Sequence, residues 1–284
     1  MNLQWFPGHM AKTRRLITEQ LGLIDIVVEL LDARLPLASR NPEISTITGG
    51  KPRLIILNKS DLADDAVNCM WVDYFKRQGV EAVLLDSVHA KNLNFIADKI
   101  RGALKEKLKR QAEKGMAGRS VKAMVVGIPN VGKSSFINRL AGRASAATGD
   151  RPGVTRGKQW IRLKNGIELL DTPGILWPKF EDEQTGLKLA YVGSIKDEII
   201  DMETLAFRLL EYLNQTYPAQ LCTRYKLENT EGLAGYELLE RIGKKRGFIV
   251  SGGEIDTLRA ANIVLDEFRS CRIGKISLER PEVE

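Results

Sequence analysis

Residues 127–134, Gly-Ile-Pro-Asn-Val-Gly-Lys-Ser, match G-x-x-x-x-G-K-[ST] without a mismatch, and the chemistry this spacing serves is phosphate binding. The glycines let backbone N–H groups turn inward around an anion, and a following helix adds the positive end of its dipole. The run Asn130, Val131, Gly132, Lys133, Ser134 and Ser135 would hold the phosphates, with Lys133 bridging the β- and γ-groups and the Ser134 hydroxyl taking Mg2+. The next apolar strand closes on Asp171-Thr-Pro-Gly174, where Asp171 would hold the metal through water and the Gly174 N–H would meet the γ-phosphate. Between them lies Arg151-Pro-Gly-Val-Thr155-Arg156. The Thr155 hydroxyl would complete the metal shell, with Thr148 as its rival, and Arg151 and Arg156 either stabilise developing charge or face RNA. A glycine-rich turn without a ligand is the plain alternative, and the strand before and helix after argue against it.

The run Leu54-Ile-Ile-Leu57 closes on Asn58-Lys59-Ser60-Asp61, which suits a purine ring. Guanine offers N1–H and N2–H2 as a donor pair that one carboxylate, Asp61, accepts together. Adenine presents no such pair, so a site built this way rejects it by leaving buried polar groups unmatched. Asn58 either meets N7 or braces the phosphate loop, and the Lys59 stem lies on the ring face. A second loop, Ser87-Val88-His89, would offer the Val88 N–H to guanine O6, with His89 merely exposed. Alone, N-K-x-D is a weak signal; the second loop strengthens it.

The motifs therefore run base, base, phosphate, switch, switch, whereas a P-loop GTPase ordinarily begins with the phosphate loop. Strands are expected at 24–34, 52–59, 80–87, 121–127, 159–164 and 166–171, with helices at 10–22, 64–78, 93–114 and 134–141. Such alternation predicts an α/β fold, a mostly parallel sheet with helices on both faces and ligands at the carboxyl ends of the strands. A circular permutation accounts for the order. Old ends lying close together on the surface are joined, here through the basic segment 93–120, and a new break opens after the second switch and before strand 24–34.

From residue 179 the pattern is helical only. One helix at 203–213 is stopped by Pro218, and a second at 235–247 ends at glycine. Apolar residues from Ile255 to Phe268 follow Ser251-Gly252-Gly253-Glu254, which has the spacing of a capping box. The expected division is a circularly permuted GTPase domain at 1–178 and a small all-helical domain at 179–284, with the final RPEVE frayed.

Composition bounds the rest. With 284 residues, 43% apolar and 28% charged, the chain suits one large domain and a smaller one. No apolar run is long enough to span a bilayer, and MNLQWFPGHM has neither the basic start nor the apolar core of a secretory leader. Cys69, Cys222 and Cys271 show no metal-binding spacing, and a reducing cytoplasm is the expected location. The charge of +7 is uneven, with 28 basic against 17 acidic side chains in residues 1–178. The densest basic stretch, 99–122, is either a solvated helix and linker or a face for nucleic-acid phosphates.

At this point the chain resembles the circularly permuted GTPases of ribosome assembly, the ribosome biogenesis GTPase A (YlqF-type) family. The resemblance rests on WFPGHM at 5–10, LDAR.P at 31–36, NKSD, GIPNVGKSS, PGVT at 152–155, LLDTPGILWP at 169–178 and GGEID at 252–256. It implies a cytoplasmic GTPase that binds the large ribosomal subunit late in maturation, expected to work as a monomer and away from membranes. The helical domain is implied to contact rRNA, locally through Lys244-Lys245-Arg246, a cluster that otherwise reads as a solvated helix end. The position after D-x-x-G, often a water-orienting Gln, is Ile175, which neither donates nor accepts a hydrogen bond. Intrinsic hydrolysis should then be slow. The resemblance suggests His9 as the substitute water orienter; the alternative is a structural or RNA-contacting histidine. It also places Asn130 where some related GTPases hold K+. A GTP-dependent binding module with incidental turnover and an ATP-using P-loop kinase are the competing readings, and Asp61 argues against the second.

Overall fold

The computed structural model describes residues 15, 17–89, 93–116, 118–142, 159–163, 165–172 and 182–282. These form two compact units. The first runs to Thr172 and includes the tail from Ser277; the second is Asp182–Ile276. The expected boundary at 178/179 lies outside the described residues.

The first unit is built on one six-stranded sheet, β1 (Ile26–Asp32), β2 (Arg53–Asn58), β3 (Glu81–Leu85), β4 (Val121–Val126), β5 (Gln159–Arg162) and β6 (Ile167–Asp171), in the order β3-β2-β1-β4-β6-β5. All neighbours are parallel except β5, which runs antiparallel to β6 at the edge. Every residue of β1 is buried, so both faces of the sheet are covered there, and IVVELLD reads as the near-continuous apolar run this requires. The helices that accompany the sheet among the described residues include α1 (Pro42–Ile47), α2 (Asp65–Arg77), α3 (Asn94–Ala103), α4 (Lys105–Glu113) and α5 (Lys133–Ala141). On one side Val67, Trp71 and Phe75 of α2 pack with Leu31, Ile55 and Leu57. A second cluster gathers Ile17, Ile24, Val27, Met124, Val126 and Leu170.

The long basic helix expected at 93–114 is two helices broken at Leu104, which is buried and serves as the C-cap of α3 and the N-cap of α4. Residues 17–20 are helical, within the helix expected at 10–22.

The second unit contains α6 (Glu183–Tyr191), α7 (Met202–Thr216), α8 (Pro218–Tyr225), α9 (Gly235–Arg246) and α10 (Thr257–Arg269). Two sequence expectations are corrected here. Pro218 does not only end a helix; it opens α8, because a proline at the first helical position gives up no hydrogen bond. The Ser251/Glu254 capping box does not start α10. Gly252 and Gly253 are left-handed, Ile249 bridges to Ile255, and Asp256 caps the helix by accepting the Arg259 N–H.

Of the end expected to fray, 280–284, Pro281 is buried, and the residues just before it are seated on the first unit. Ser277 and Leu278 are buried, and the Leu278 N–H donates to the Arg34 carbonyl at 2.6 Å. The Ser277 Oγ accepts from the Asp64 N–H at 3.1 Å, and the Glu279 carboxylate accepts the N–H groups of Leu37 (2.8 Å) and Ala38 (3.2 Å). The tail therefore belongs to the nucleotide-motif unit, not to the helical one.

Candidate functional site

Because the sheet is parallel, five strand ends face the same way. Across it, β3 delivers Asp86-Ser87-Val88-His89, β2 delivers Asn58–Asp61, β1 delivers Asp32–Arg34, β4 delivers the phosphate loop and β6 delivers Asp171. Neighbours in space are thus far apart in sequence.

Asn58 is the hinge of this assembly. Its Nδ2 donates to the Val131 carbonyl at 2.7 Å, and its Oδ1 accepts the Ser87 N–H at 3.1 Å. Of its two sequence readings, bracing the phosphate loop is the one this geometry supports. Gly132 explains the second glycine of the motif. Its φ is +96°, and a Cβ there would lie 2.4 Å from Asn58 Nδ2, so the brace passes where any larger residue would put its side chain. The Lys59 Nζ donates to the Asn130 carbonyl at 2.6 Å and lies 3.2 Å from Asp32 Oδ2. The two base loops and the phosphate loop are therefore hydrogen-bonded together.

Asp61 is half-buried; burial and the neighbouring Asp86 carboxylate push its pKa up. An oxygen of Asp61, an oxygen of Asp86 and a ring nitrogen of His89 lie within 4.8 Å of one another. Asp86 organises its own loop. Its Oδ1 accepts the N–H groups of Val88 and His89, each at 2.9 Å, and its Oδ2 pairs with His89 Nδ1 at 2.8 Å. The Val88 N–H, expected to serve guanine O6, is thus turned to Asp86 here. His89 is exposed, as expected.

On the phosphate side, Lys133 opens α5 and is buried, its Nζ donating to the carbonyls of Gly127 (3.0 Å) and Ile128 (2.8 Å). Burial pulls its pKa down to about 8, against the attraction of Asp171. Burial pushes Asp171 up to about 6, with Lys133 opposing. Asp171 Oδ1 is buried with no hydrogen-bond partner among the described residues. A buried carboxylate with an orphaned oxygen, and a hydroxyl at Ser134 next to Lys133, make a hard-oxygen donor set that fits Mg2+. Ser135 follows in the first turn of α5. His9, Thr155 and Gly174, with Thr148, Arg151, Arg156 and Ile175, lie outside the described residues.

Comparison with known proteins agrees with this geometry. The chain is 49% identical over 283 residues to ribosome biogenesis GTPase A of Bacillus licheniformis, covering 99% of each chain. The chain belongs to the ribosome biogenesis GTPase A family. Its Thermotoga maritima relative is 33% identical over 280 residues, covering 99% of this chain and 95% of that one. Residues 122–219 match the family described as 50S ribosome-binding GTPase. A GDP-bound YlqF structure has a TM-score of 0.69 at 30% identity, over 95% of this chain and 100% of that one. As a member of the ribosome biogenesis GTPase A family the chain is a GTP hydrolase with a role in ribosome assembly, and its motif order fits the circular permutation of YlqF homologues.

Sequence reasoning assigned no role to Asp32, Arg34, Asp86 or Arg139. Arg139 of α5 donates to the Val88 carbonyl and so ties the second base loop to the phosphate helix. The LDAR.P motif was the available signal for Asp32 and Arg34; nothing in its spacing shows what they hold.

Proposed function

We propose that this GTPase acts on the large (50S) ribosomal subunit late in its assembly, with slow intrinsic turnover that the subunit accelerates. The observation that supports the nucleotide site best is the three-way brace of Asn58, which gathers the NKSD run, the Ser87 loop and the phosphate loop. In this reading Asn58, Lys59, Asp61, Ser87 and Val88 take guanine, and Asn130 to Ser135 take the phosphates. Ser134 and Thr155 would ligate Mg2+ and Asp171 would hold it through water; the ion would supply positive charge to the phosphates. Gly174 contacts the γ-phosphate, and K+ binds at Asn130.

Ile175 supplies no polar group to a water, which supports slow basal hydrolysis, and His9 is the proposed orienter. The subunit assignment draws on the family description of residues 122–219 and on exposed Arg101, Lys105, Lys109, Arg110, Lys114 and Arg119, which suit rRNA phosphates. The helical unit adds a local contact through Lys244-Lys245-Arg246. The protein works as a cytoplasmic monomer.

The test is GTP hydrolysis by the pure protein, alone and with purified large subunits, with His9→Ala alongside. A slow rate that rises sharply with subunits is expected, and His9→Ala should lose the rise while still binding nucleotide and subunit. No stimulation by mature or immature subunits would instead favour a different partner or a module whose turnover is incidental. A His9→Ala variant stimulated like wild type would return His9 to a structural role.

A further inference from the structure

The LDAR motif ends β1 in the middle of the sheet, between the base side and the phosphate side, and the nucleotide reading leaves it unused. Asp32 pairs with Asn58 in the parallel ladder, and it is 1% exposed, with Arg34 at 2%. Its carboxylate is fully engaged. Oδ1 accepts from Arg34 Nε at 2.9 Å and from the Arg34 N–H at 3.1 Å, and Oδ2 accepts from Arg34 NH2 at 2.8 Å. The same Oδ2 lies 3.2 Å from the Lys59 ammonium. The Asp32 N–H donates to Ser39 Oγ at 3.0 Å, so the strand end carrying the carboxylate is itself fixed.

We propose that Asp32 is a positioning residue for guanine-nucleotide binding: clamped from two sides by Arg34, it holds the Lys59 ammonium toward the Asn130 carbonyl and so sets the base-reading loop against the phosphate loop. The inference rests on the reading of Asn58–Asp61 as the base-reading run.

Three observations carry it. A buried ion pair by itself is a weak stabiliser, because desolvation offsets the attraction, so the Asp32–Arg34 pair needs another reason to be there. Lys59 is 23% exposed and has a long flexible stem, so it has water as an alternative to Asp32. It nevertheless lies inward between Asp32 and Asn130, with its own backbone left-handed at φ +58°. A non-glycine residue holds that conformation only where its surroundings impose it, and Asp32 and Asn130 anchor the two sides of its ammonium. The buried guanidinium keeps the carboxylate charged: burial alone would raise the Asp32 pKa, yet Arg34 and Lys59 together hold it far below the ordinary range.

The test is a double-mutant cycle on the full chain with Asp32→Asn, Lys59→Met and both together, reading the Kd for GDP, the kcat and KM for GTP, and thermal unfolding. Each single change is expected to weaken GDP binding by about tenfold and to raise KM with kcat within about twofold. The double variant should be no weaker than the worse single, because Asp32 acts through Lys59. Losses that multiply in the double variant, or an Asp32→Asn protein that binds GDP like wild type, would overturn the proposal. If Asp32→Asn does not fold, Arg34→Lys replaces it, keeping the charge but losing the two-point clamp. Its GDP defect should vanish in the Lys59→Met background; a defect that persists there contradicts the proposal. Normal GDP binding by Lys59→Met alone would also overturn the proposal, whereas failure of the base-reading assignment would show separately as loss of guanine preference at Asp61.

Discussion

The Lys59 ammonium donates to the Asn130 carbonyl at 2.6 Å, and both residues are left-handed, with φ of +58°. Two unusual backbone positions, one in the base-reading loop and one in the phosphate loop, are thus joined by one hydrogen bond. Beside it, Asn58 reaches the Val131 carbonyl. Chain order does not matter to such contacts; strand order in the sheet does. With β2 and β4 both flanking β1, the reversed motifs arrive at one site.

Gly132→Ala should weaken nucleotide binding strongly. The new Cβ would meet Asn58 Nδ2 at 2.4 Å, so the brace must move or the loop must open. GDP affinity measured by fluorescence titration should fall by more than about tenfold. Gly142→Ala is the control, since it is also left-handed but has open space around its Cβ. It should lose about 1 kcal/mol of stability and keep its affinity. Equal loss of affinity in both would mean that backbone strain, not the Asn58 brace, dominates.

Lys133 gives a pH dependence of defined sign. It meets phosphate as an ammonium, and in the free protein burial brings its pKa down to about 8. Bound phosphates raise that pKa, so binding takes up a proton wherever the free protein has lost it. Without Mg2+, affinity should be level up to about pH 8 and fall as pH rises further. Calorimetry in two buffers of different ionisation heat should show proton uptake on GDP binding at about one unit above that pKa and almost none at about one unit below it. Asp171 makes the opposite limb: pushed up to about 6, it loses its carboxylate as pH falls, so Mg2+ should strengthen binding less below that point. Proton release on the alkaline side would contradict the account.

Glu279 predicts a local effect of the tail. Its carboxylate receives the Leu37 and Ala38 amides, next to the loop that carries Arg34. Glu279→Ala should weaken this segment by about 1 kcal/mol, the usual net worth of such bonds at a partly exposed position. Hydrogen exchange at the Leu37 and Ala38 amides should accelerate by about fivefold, and less in Glu279→Gln, which keeps an acceptor oxygen. Unchanged exchange would mean the tail does not hold the loop.

Much of this was legible in the sequence, for reasons that separate local from distant effects. The strands of the first unit and the phosphate loop are encoded locally, in apolar runs and in glycines whose φ the loop requires. The base-reading run is local as well. What is not local was missed. Leu104 interrupts a good helix pattern with its backbone at φ −108° and ψ 7°, and Asp256 takes the cap position beyond two left-handed glycines that follow Ser251. The seat of the tail depends on the Arg34 carbonyl and the Asp64 amide, more than two hundred residues away, and no sequence window contains both partners. Asp32 and Arg34 are adjacent enough to read, but their hold on Lys59 needs the β1–β2 register.

The most direct test of the account is nucleotide choice at Asp61, measured as equilibrium affinity for GTP, ATP and XTP by wild type and Asp61→Asn. Wild type should prefer GTP over both others by about a hundredfold or more, because only guanine offers the paired donors. Asp61→Asn should reverse the choice toward XTP, whose O2 accepts where guanine N2 donates. A wild-type protein that binds ATP as well as GTP, or an Asp61→Asn protein with unchanged GTP affinity, would contradict the claim that the reversed motifs build one guanine-nucleotide site.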